Sequence, residues 1–265
     1  MKKLSMFLLA VLLLLCASAV AAAQTEEELI RERLMLDKPN YESPVLWEDP
    51  SSTSVFISKH YKISTKYKPE NLVEIDRKYS ANGVRLREDC YESMLLMAKD
   101  MEAEGLVLYI KSGFRTNSKR GGPNSLWFAW PGHTEHQTGL AFDLRKKGKT
   151  YPTLGGYKYE QTKEFAWLCD NAYRYGFILS YPKDKSDITG FGFEPWHWRF
   201  VGIDIATDMR EKGFATYHEY WALHLYSSVM TKANDPIDAG GTGNPIDTND
   251  TGQVRMDTLV TMQRI

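Results

Sequence analysis

The residues of this chain that could bind a metal and move a proton are concentrated in two short stretches. The first is Pro-Gly-His-Thr-Glu-His-Gln-Thr-Gly-Leu-Ala-Phe-Asp at 131–143, and the second is Phe-Glu-Pro-Trp-His-Trp-Arg at 193–199. A catalytic Zn²⁺ ion takes three protein ligands from His, Cys, Asp or Glu and keeps one position open for water. His136, Asp143 and His197 could supply two imidazoles and a carboxylate from separate elements. The two stretches therefore predict a zinc site.

A further carboxylate lies next to this ligand set. Glu194 stands three residues before His197, close enough to reach a water on the ion without being a ligand. Zinc lowers the pKa of a bound water to about 7, and a positioned carboxylate can take the proton of that water during attack. The spacing thus favours Glu194 as the general base of a hydrolytic reaction.

The other histidines fit a structural role better. His133 lies three residues before His136 and is a competing ligand, but we favour a structural or supporting role for it. His218-Glu219 begins like a zinc-protease signature, which needs a second histidine at position 222, where Ala222 stands. The sequence leaves open whether the tryptophans of the region, Trp127, Trp130, Trp196 and Trp198, line a cleft or pack beneath it.

Three motifs resemble those of the VanY-like zinc D-alanyl-D-alanine carboxypeptidase family. Residues 134–143 resemble the pattern S-x-H-x-x-G-x-A-x-D, and Glu-Pro-Trp-His at 194–197 matches E-x-W-H. Upstream, Ser-Gly-Phe-Arg-Thr at 112–116 resembles S-G-Y-R-S. The resemblance extends from about Val55 to Trp221, most of the chain, with the motifs in the family's order.

The resemblance implies a role for each matching residue. His136, Asp143 and His197 would bind one zinc ion per chain, and Glu194 would be the catalytic base. Arg115 would approach the scissile carbonyl or the substrate carboxylate, where a guanidinium stabilises negative charge. Further substrate contacts would come from Ser112, Gln137 and Trp196.

The resemblance also implies a fold and an activity. The fold would be a single α+β domain, in which helices flank a central, mostly antiparallel sheet and the metal lies in a cleft. The activity would be hydrolysis of the terminal D-alanine of peptidoglycan stem peptides, with a metal-bound water activated by Glu194. The chain departs from the family at Thr134, which replaces Ser, at Ser180, where relatives often carry Arg, and at Phe193, which replaces a frequent Tyr. The loop after Arg115 is also shorter than expected, which leaves substrate preference open.

Several other functions compete with this one. L,D-carboxypeptidase activity on tetrapeptide stems is the nearest alternative, since no residue fixes the chirality on the N-terminal side of the bond. Dipeptidase, endopeptidase and phage-type lysin activities belong to the same chemical class. A non-catalytic, metal-bearing wall-binding module is the alternative from a different class.

Periodicity and composition outline the elements that must position these residues. Apolar spacing predicts helices over 89–104, 162–175, 202–212 and 217–230, and strands over 106–110, 139–144 and 177–181. A polar loop is predicted over 112–124. We expect a loosely held lead-in at 24–54, the zinc domain at 55–230 and a flexible polar tail at 231–265.

The N-terminus predicts export. Lys2 and Lys3 precede an apolar run at 6–15 and an Ala-rich site at 21–23, which is typical of a secretory signal peptide. We expect cleavage after Ala23 and a protein of the periplasm, the cell wall or the exterior, without a permanent membrane span. An oxidising compartment would permit a disulfide between Cys90 and Cys169, and buried free thiols are the equal alternative.

Composition excludes several classes of protein. The 265 residues are 43% hydrophobic and 25% charged, as in globular proteins. The 33 basic and 34 acidic side chains give a formal charge of −1, without a run of Lys and Arg. Nucleic acid is therefore not an expected partner, and peptidoglycan stem peptides ending in D-alanine are.

Overall fold

The computed structural model describes residues 24–47, 49–116, 122–148 and 158–234, with backbone only for 231–234. The predicted signal peptide and nearly all of the predicted tail lie outside the described residues. The helices are α1 (Glu26–Arg33), α2 (Glu88–Ala103), α3 (Lys163–Asn171), α4 (Ser186–Thr189), α5 (Ile203–Lys212), α6 (Tyr217–Tyr220) and α7 (Tyr226–Asn234). The strands are β1 (Val45–Leu46), β2 (Tyr61–Lys62), β3 (Leu72–Glu74), β4 (Arg85–Arg87), β5 (Ile110–Ser112), β6 (Ala141–Leu144), β7 (Phe177–Leu179) and β8 (His197–Phe200). Described residues up to Ser227 form one compact unit, and a second begins at Ser228.

A four-stranded antiparallel sheet, in the order β5-β6-β8-β7, organises the fold. Strands β1 and β2 form a separate parallel pair, and β3 and β4 an antiparallel pair. This arrangement confirms the predicted α+β class with a central antiparallel sheet. The sheet is smaller than the predicted strands suggest, since each of its strands has three or four residues.

Strands β6 and β8 present different chemistry on their two faces, because side chains alternate along a strand. Phe142, Leu144, Trp198 and Phe200 enter the main hydrophobic cluster, in which the Met-rich face of α2 also lies. The residues that alternate with them along the two strands, notably Asp143 and His197, are therefore directed to the opposite face. A second cluster on another part of the fold contains Phe56, Ile178 and Trp221.

Strand β8, which lies inside the sheet, is not among the strands predicted from the sequence. All four of its residues are buried, but His197 and Arg199 are polar, so its sequence lacks an apolar run. The strand predicted at 106–110 also begins later than expected, with β5 at Ile110. Its partner β6 ends at Leu144, opposite Ile110, although the Arg145 N–H after it still donates to the carbonyl of Tyr109 at 3.0 Å.

The segment at 24–54 is not a loosely held lead-in. Thr25 and Glu28 form a capping box that starts α1. Leu34 is buried in the second cluster, and the Arg33 guanidinium donates to the carbonyl of Ala222 at 2.7 Å. Buried apolar contact and a long-range hydrogen bond therefore attach this segment to the rest of the unit.

Two other expectations are settled by the described residues. Cys90 and Cys169 are both free, so they form no disulfide; Cys90 is buried as the alternative expected, whereas Cys169 is exposed. The helix predicted at 217–230 is divided, because a π-helical stretch at Trp221–Leu225 separates α6 from α7. Among the described residues, no helix is long and apolar enough to cross a membrane.

Gly176 closes the turn before β7 in a conformation that other residues adopt at a cost. Its φ is +78°, and a Cβ there would lie 2.6 Å from Cε2 of Phe200 and 2.8 Å from the carbonyl carbon of Gly202. We expect Gly176→Ala to lower the free energy of unfolding by about 2–4 kcal/mol, from left-handed backbone strain and overpacking together. Urea denaturation measures it.

Gly213 provides the matched control, because its φ is +75° and a Cβ there would have no neighbour within 4 Å. Gly213→Ala should therefore cost only the backbone strain, about 1–2 kcal/mol. Equal losses in the two variants would contradict the steric argument for Gly176.

Candidate metal centre and active-site cleft

The sheet register places Asp143 directly beside His197. Asp143 of β6 pairs with His197 of β8, and Oδ1 of Asp143 lies 3.1 Å from Nδ1 of His197. Both side chains leave the sheet on the face opposite the main hydrophobic cluster. Their proximity therefore follows from strand pairing, although the residues are 54 positions apart.

His136 lies on a short 3-10 helix, Glu135–Thr138, which precedes β6. Nδ1 of His136 lies 2.8 Å from the carbonyl oxygen of Gly113. A carbonyl only accepts, so Nδ1 carries the proton and Nε2 presents a lone pair. Nε2 lies 3.3 Å from Oδ1 of Asp143, is buried, and makes no well-formed hydrogen bond within the described part of the chain.

These three side chains fit a metal ion. One ligand atom from each of His136, Asp143 and His197 can be chosen so that all lie within 4.8 Å of one another. Two imidazole nitrogens and a carboxylate oxygen form a donor set that zinc accepts. Burial by itself would raise the pKa of Asp143, but contact with His136 and His197 lowers it below the ordinary value. The carboxylate is therefore ionised, as a ligand must be.

Glu135, which was not predicted from the sequence, contacts the ring nitrogen of His197 that does not face Asp143. Its Oε2 accepts from Nε2 of His197 at 2.9 Å and from Oγ of Ser180 at 2.7 Å, and its Oε1 lies 3.3 Å from Nη1 of Arg199. Burial would raise the pKa of Glu135, but the charge of Arg199 and the hydrogen bond from His197 lower it to about 2. Glu135 is thus a buried carboxylate that orients His197, with Nδ1 facing Asp143.

The signal that points to Glu135 comes from the fold and not from the sequence. Arg199 lies between Trp198 and Phe200 in a strand and is fully buried, and a buried guanidinium needs a carboxylate or carbonyl partners. It has both, since it also donates to the carbonyls of Thr53 and Val55. Ser180 gives Glu135 a neutral donor, and the positive charge beside Glu135 comes from Arg199 of β8.

The cleft beside this cluster contains the predicted base and the predicted arginine. It has a volume of about 310 Å³ and is lined by Arg115, Thr116, Trp127, Phe128, Ala129, Thr134, His136, Tyr181, Phe191, Glu194 and His197. Oε2 of Glu194 lies 3.8 Å from Nδ1 of His197. Burial raises the pKa of Glu194 to about 7, although the charges of His197 and Arg115 oppose this. A carboxyl group with such a pKa is suited to exchanging protons near neutral pH.

Other residues singled out from the sequence lie elsewhere. The Gln137 amide is buried and donates to the carbonyls of Ser64 and Tyr67, so it is not presented to the cleft. Trp196 packs against the main hydrophobic cluster, and Ser112 pairs with Asp143 within the sheet. None of these three lines the cleft, in contrast to the prediction that they contact substrate.

The competing histidines are also separate from the metal cluster. Nδ1 of His133 lies 2.8 Å from the carbonyl oxygen of Ser58, which agrees with a structural role. His218 packs edge-on against Phe56, with 4.9 Å between the ring centroids. Of the four undecided tryptophans, Trp127 lines the cleft and Trp130 stacks on Tyr41. Trp198 lies in the main hydrophobic cluster, and Trp196 packs against it.

Comparison with known proteins identifies the family. The model of the VanY family, described as D-alanyl-D-alanine carboxypeptidase, matches residues 83–203. The protein YodJ of Bacillus subtilis (strain 168) is 30% identical over 192 residues, which are 66% of this chain and 68% of YodJ. The chain belongs to the VanY family of metallopeptidases. The resemblance seen in the three sequence motifs is therefore confirmed.

Solved structures of VanY-like enzymes share the fold. The LdcB LD-carboxypeptidase superposes with a TM-score of 0.60 and 29% identity, over 67% of this chain and 89% of LdcB. A mutant of the D,D-pentapeptidase VanY from a VanB-type vancomycin resistance cassette, in complex with Zn(II), gives a TM-score of 0.52 and 29% identity, over 63% of this chain and 98% of that chain. Solved structures similar to this chain thus include both an LD-carboxypeptidase and a D,D-pentapeptidase.

The position of Glu135 predicts a specific effect on metal binding. Glu135→Gln keeps the shape of the side chain and an acceptor for His197 but removes the negative charge. We expect zinc affinity, measured by competition with a fluorescent chelator, to fall about 10–100-fold, the usual effect of losing an outer partner of a metal-bound histidine.

Glu92→Gln provides the control, because Glu92 is an exposed glutamate on α2. Its zinc affinity should equal that of the wild type. Wild-type zinc affinity in Glu135→Gln would show that the charge of Glu135 has no part in holding the metal.

Proposed function

We propose that this protein is an exported zinc D,D-carboxypeptidase that removes the terminal D-alanine from peptidoglycan stem peptides. The observation that carries the proposal is the His136, Asp143 and His197 cluster, with Glu194 in the same cleft. Membership of the VanY family and the Zn(II) complex of a VanY enzyme with the same fold support it.

His136, Asp143 and His197 would hold a single zinc ion. When bound there, zinc supplies Lewis-acid polarisation of the scissile carbonyl and lowers the pKa of a water molecule. The protein holds the two imidazole ligands in place, since the Gly113 carbonyl fixes the ring of His136 and Glu135 fixes the ring of His197. This pre-arrangement reduces the reorganisation needed when the metal binds.

Glu194 is the general base in this proposal. It takes the proton from the attacking water and delivers it to the amine of the departing D-alanine, so one carboxylate serves both halves of the reaction. Burial raises its pKa to about 7, near the pH at which one group can both accept and donate a proton.

In this proposal the guanidinium of Arg115 binds negative charge on the substrate. It lines the cleft, and its backbone N–H donates to the carbonyl of His136 at 3.3 Å, which ties it to the metal cluster. Its charge also acts on both His136 and Glu194. A guanidinium so placed can bind the terminal carboxylate of the stem peptide or stabilise the tetrahedral oxyanion.

L,D-carboxypeptidase activity is the second candidate. Its specific support is the LdcB LD-carboxypeptidase, which superposes on this chain with a TM-score of 0.60 and 29% identity. A non-catalytic wall-binding module has less support, because the ligand cluster and Glu194 are all present. Export rests on the sequence of residues 1–23 and belongs to the proposal.

Conversion of stem peptides tests the reaction and the base together. Zinc-loaded protein should convert pentapeptide stems to tetrapeptide stems in a muropeptide mixture, measured by mass spectrometry. Glu194→Gln should lower kcat about 10²–10⁴-fold, because a proton acceptor is lost, while its zinc content stays unchanged.

Each other outcome has a distinct meaning. Conversion of tetrapeptide to tripeptide stems would keep the proposed mechanism but show that the enzyme cleaves L,D bonds. No change in any stem, with zinc bound, would contradict the enzymatic proposal. Wild-type turnover in Glu194→Gln would remove Glu194 from the mechanism.

Removal of the guanidinium tests Arg115. Arg115→Ala should lower kcat/KM for pentapeptide stems about 10²–10³-fold, with zinc affinity unchanged, because the lost contact is to substrate charge. Arg77→Ala is the control, since Arg77 is exposed and does not line the cleft. Equal kinetics for the two variants would contradict the role of Arg115.

A further inference from the structure

A second cavity lies next to the wall of the catalytic cleft. Its volume is about 270 Å³. Its lining includes Leu126 and Gly190, whose sequence neighbours Trp127 and Phe191 line the cleft. Nothing in the proposed mechanism uses this cavity, although several of its lining side chains are polar and buried.

Lys59 brings a positive charge into the cavity lining. The residue is 2% exposed, and its Nζ donates to the carbonyl of Ser125 at 2.6 Å. The ammonium also lies 4.4 Å from the ring centroid of Phe191 and 5.3 Å from that of Tyr41. Within the described chain no carboxylate forms an ion pair with it, and burial lowers its pKa to about 8. A buried ammonium without a counter-charge is costly, so an anion beside it would be stabilised.

Two buried histidines add hydrogen-bond donors to the same cavity. His60 is 4% and His218 is 2% exposed. Nδ1 of His60 and both ring nitrogens of His218 make no hydrogen bond to any described residue. Burial lowers the pKa of His218 to about 4 and that of His60 below its ordinary value, so both rings are neutral at pH 7. Each neutral ring has one N–H to donate.

The remaining charge near the cavity favours an anion as well. Asp187 is the acidic residue in the lining, and it is exposed. Its charge acts on Arg31, which partly offsets it. The carboxylates of Glu135 and Glu219 act on His218, but each forms an ion pair, with Arg199 and with Lys185 respectively. Lys38 and Lys59 both act on His60, so the unpaired charge near the buried part of the cavity is positive.

We propose that this cavity binds a small oxyanion, a carboxylate or a phosphate, with Lys59 as counter-charge and His60 and His218 as donors. Its volume exceeds that of one water molecule, about 30 Å³ in the liquid, several-fold. Because Lys59 also contacts Ser125 and Phe191, the anion site is continuous with the wall of the cleft. The proposal does not depend on the enzymatic activity.

Thermal unfolding of the full chain, zinc-loaded and zinc-free, tests the site. Sodium acetate and potassium phosphate are titrated separately against potassium chloride at matched ionic strength. We expect at least one oxyanion to raise Tm saturably, by roughly 3–6 °C at a tenfold excess over Kd. The anion that acts identifies a carboxylate or a phosphate as the ligand chemistry. The shift should persist without zinc, which separates this site from anion binding at the metal.

Lys59→Met should abolish the shift, because methionine keeps an unbranched apolar chain and removes the charge. Lys183→Met, at an exposed lysine outside the cavity lining, should retain it. If Lys59→Met does not fold, the ring ¹⁵N resonances of His60 and His218 in the wild-type protein provide the readout and should move saturably with the anion. An absent shift, an equal shift in Lys59→Met, a shift lost with zinc, or histidine resonances that do not move would each overturn the proposal.

Discussion

The pairing of β6 with β8 is the constraint on which the rest of the structure depends. Its register sets Asp143 opposite His197, and alternation along both strands sends the intervening aromatic side chains into the main hydrophobic cluster. A shift of one residue would exchange the two faces and bury the ligands in that cluster. The same contacts that stabilise the fold therefore determine where the metal-binding groups lie.

A buried network of charges completes this arrangement. Glu135 contacts His197, Ser180 and Arg199, and Arg199 is bound in turn by backbone carbonyls near Val55. Removing Glu135 would leave the charge of Arg199 buried without a carboxylate partner, which is costly. The network thus connects the orientation of a ligand ring to the packing of the chain before β2.

The sequence predicted the chemistry of the site better than the elements that carry it. His136, Asp143, Glu194 and His197 were selected by residue type and spacing, and the structure brings them together. Strand β8 was not predicted, because the polar residues His197 and Arg199 interrupt its apolar pattern. Glu135 was missed because a glutamate beside a turn looks exposed until its buried arginine is known. Gln137 was assigned to substrate by resemblance alone, and only the folded chain shows its amide bound to backbone carbonyls.

The metal centre is tested most directly by a crystal structure with anomalous diffraction at the zinc edge. We expect one anomalous peak per chain, about 2.0–2.2 Å from ligand atoms of His136, Asp143 and His197. A peak coordinated by His133 or His218, or a zinc-supplemented crystal without a peak at the cluster, would contradict this expectation.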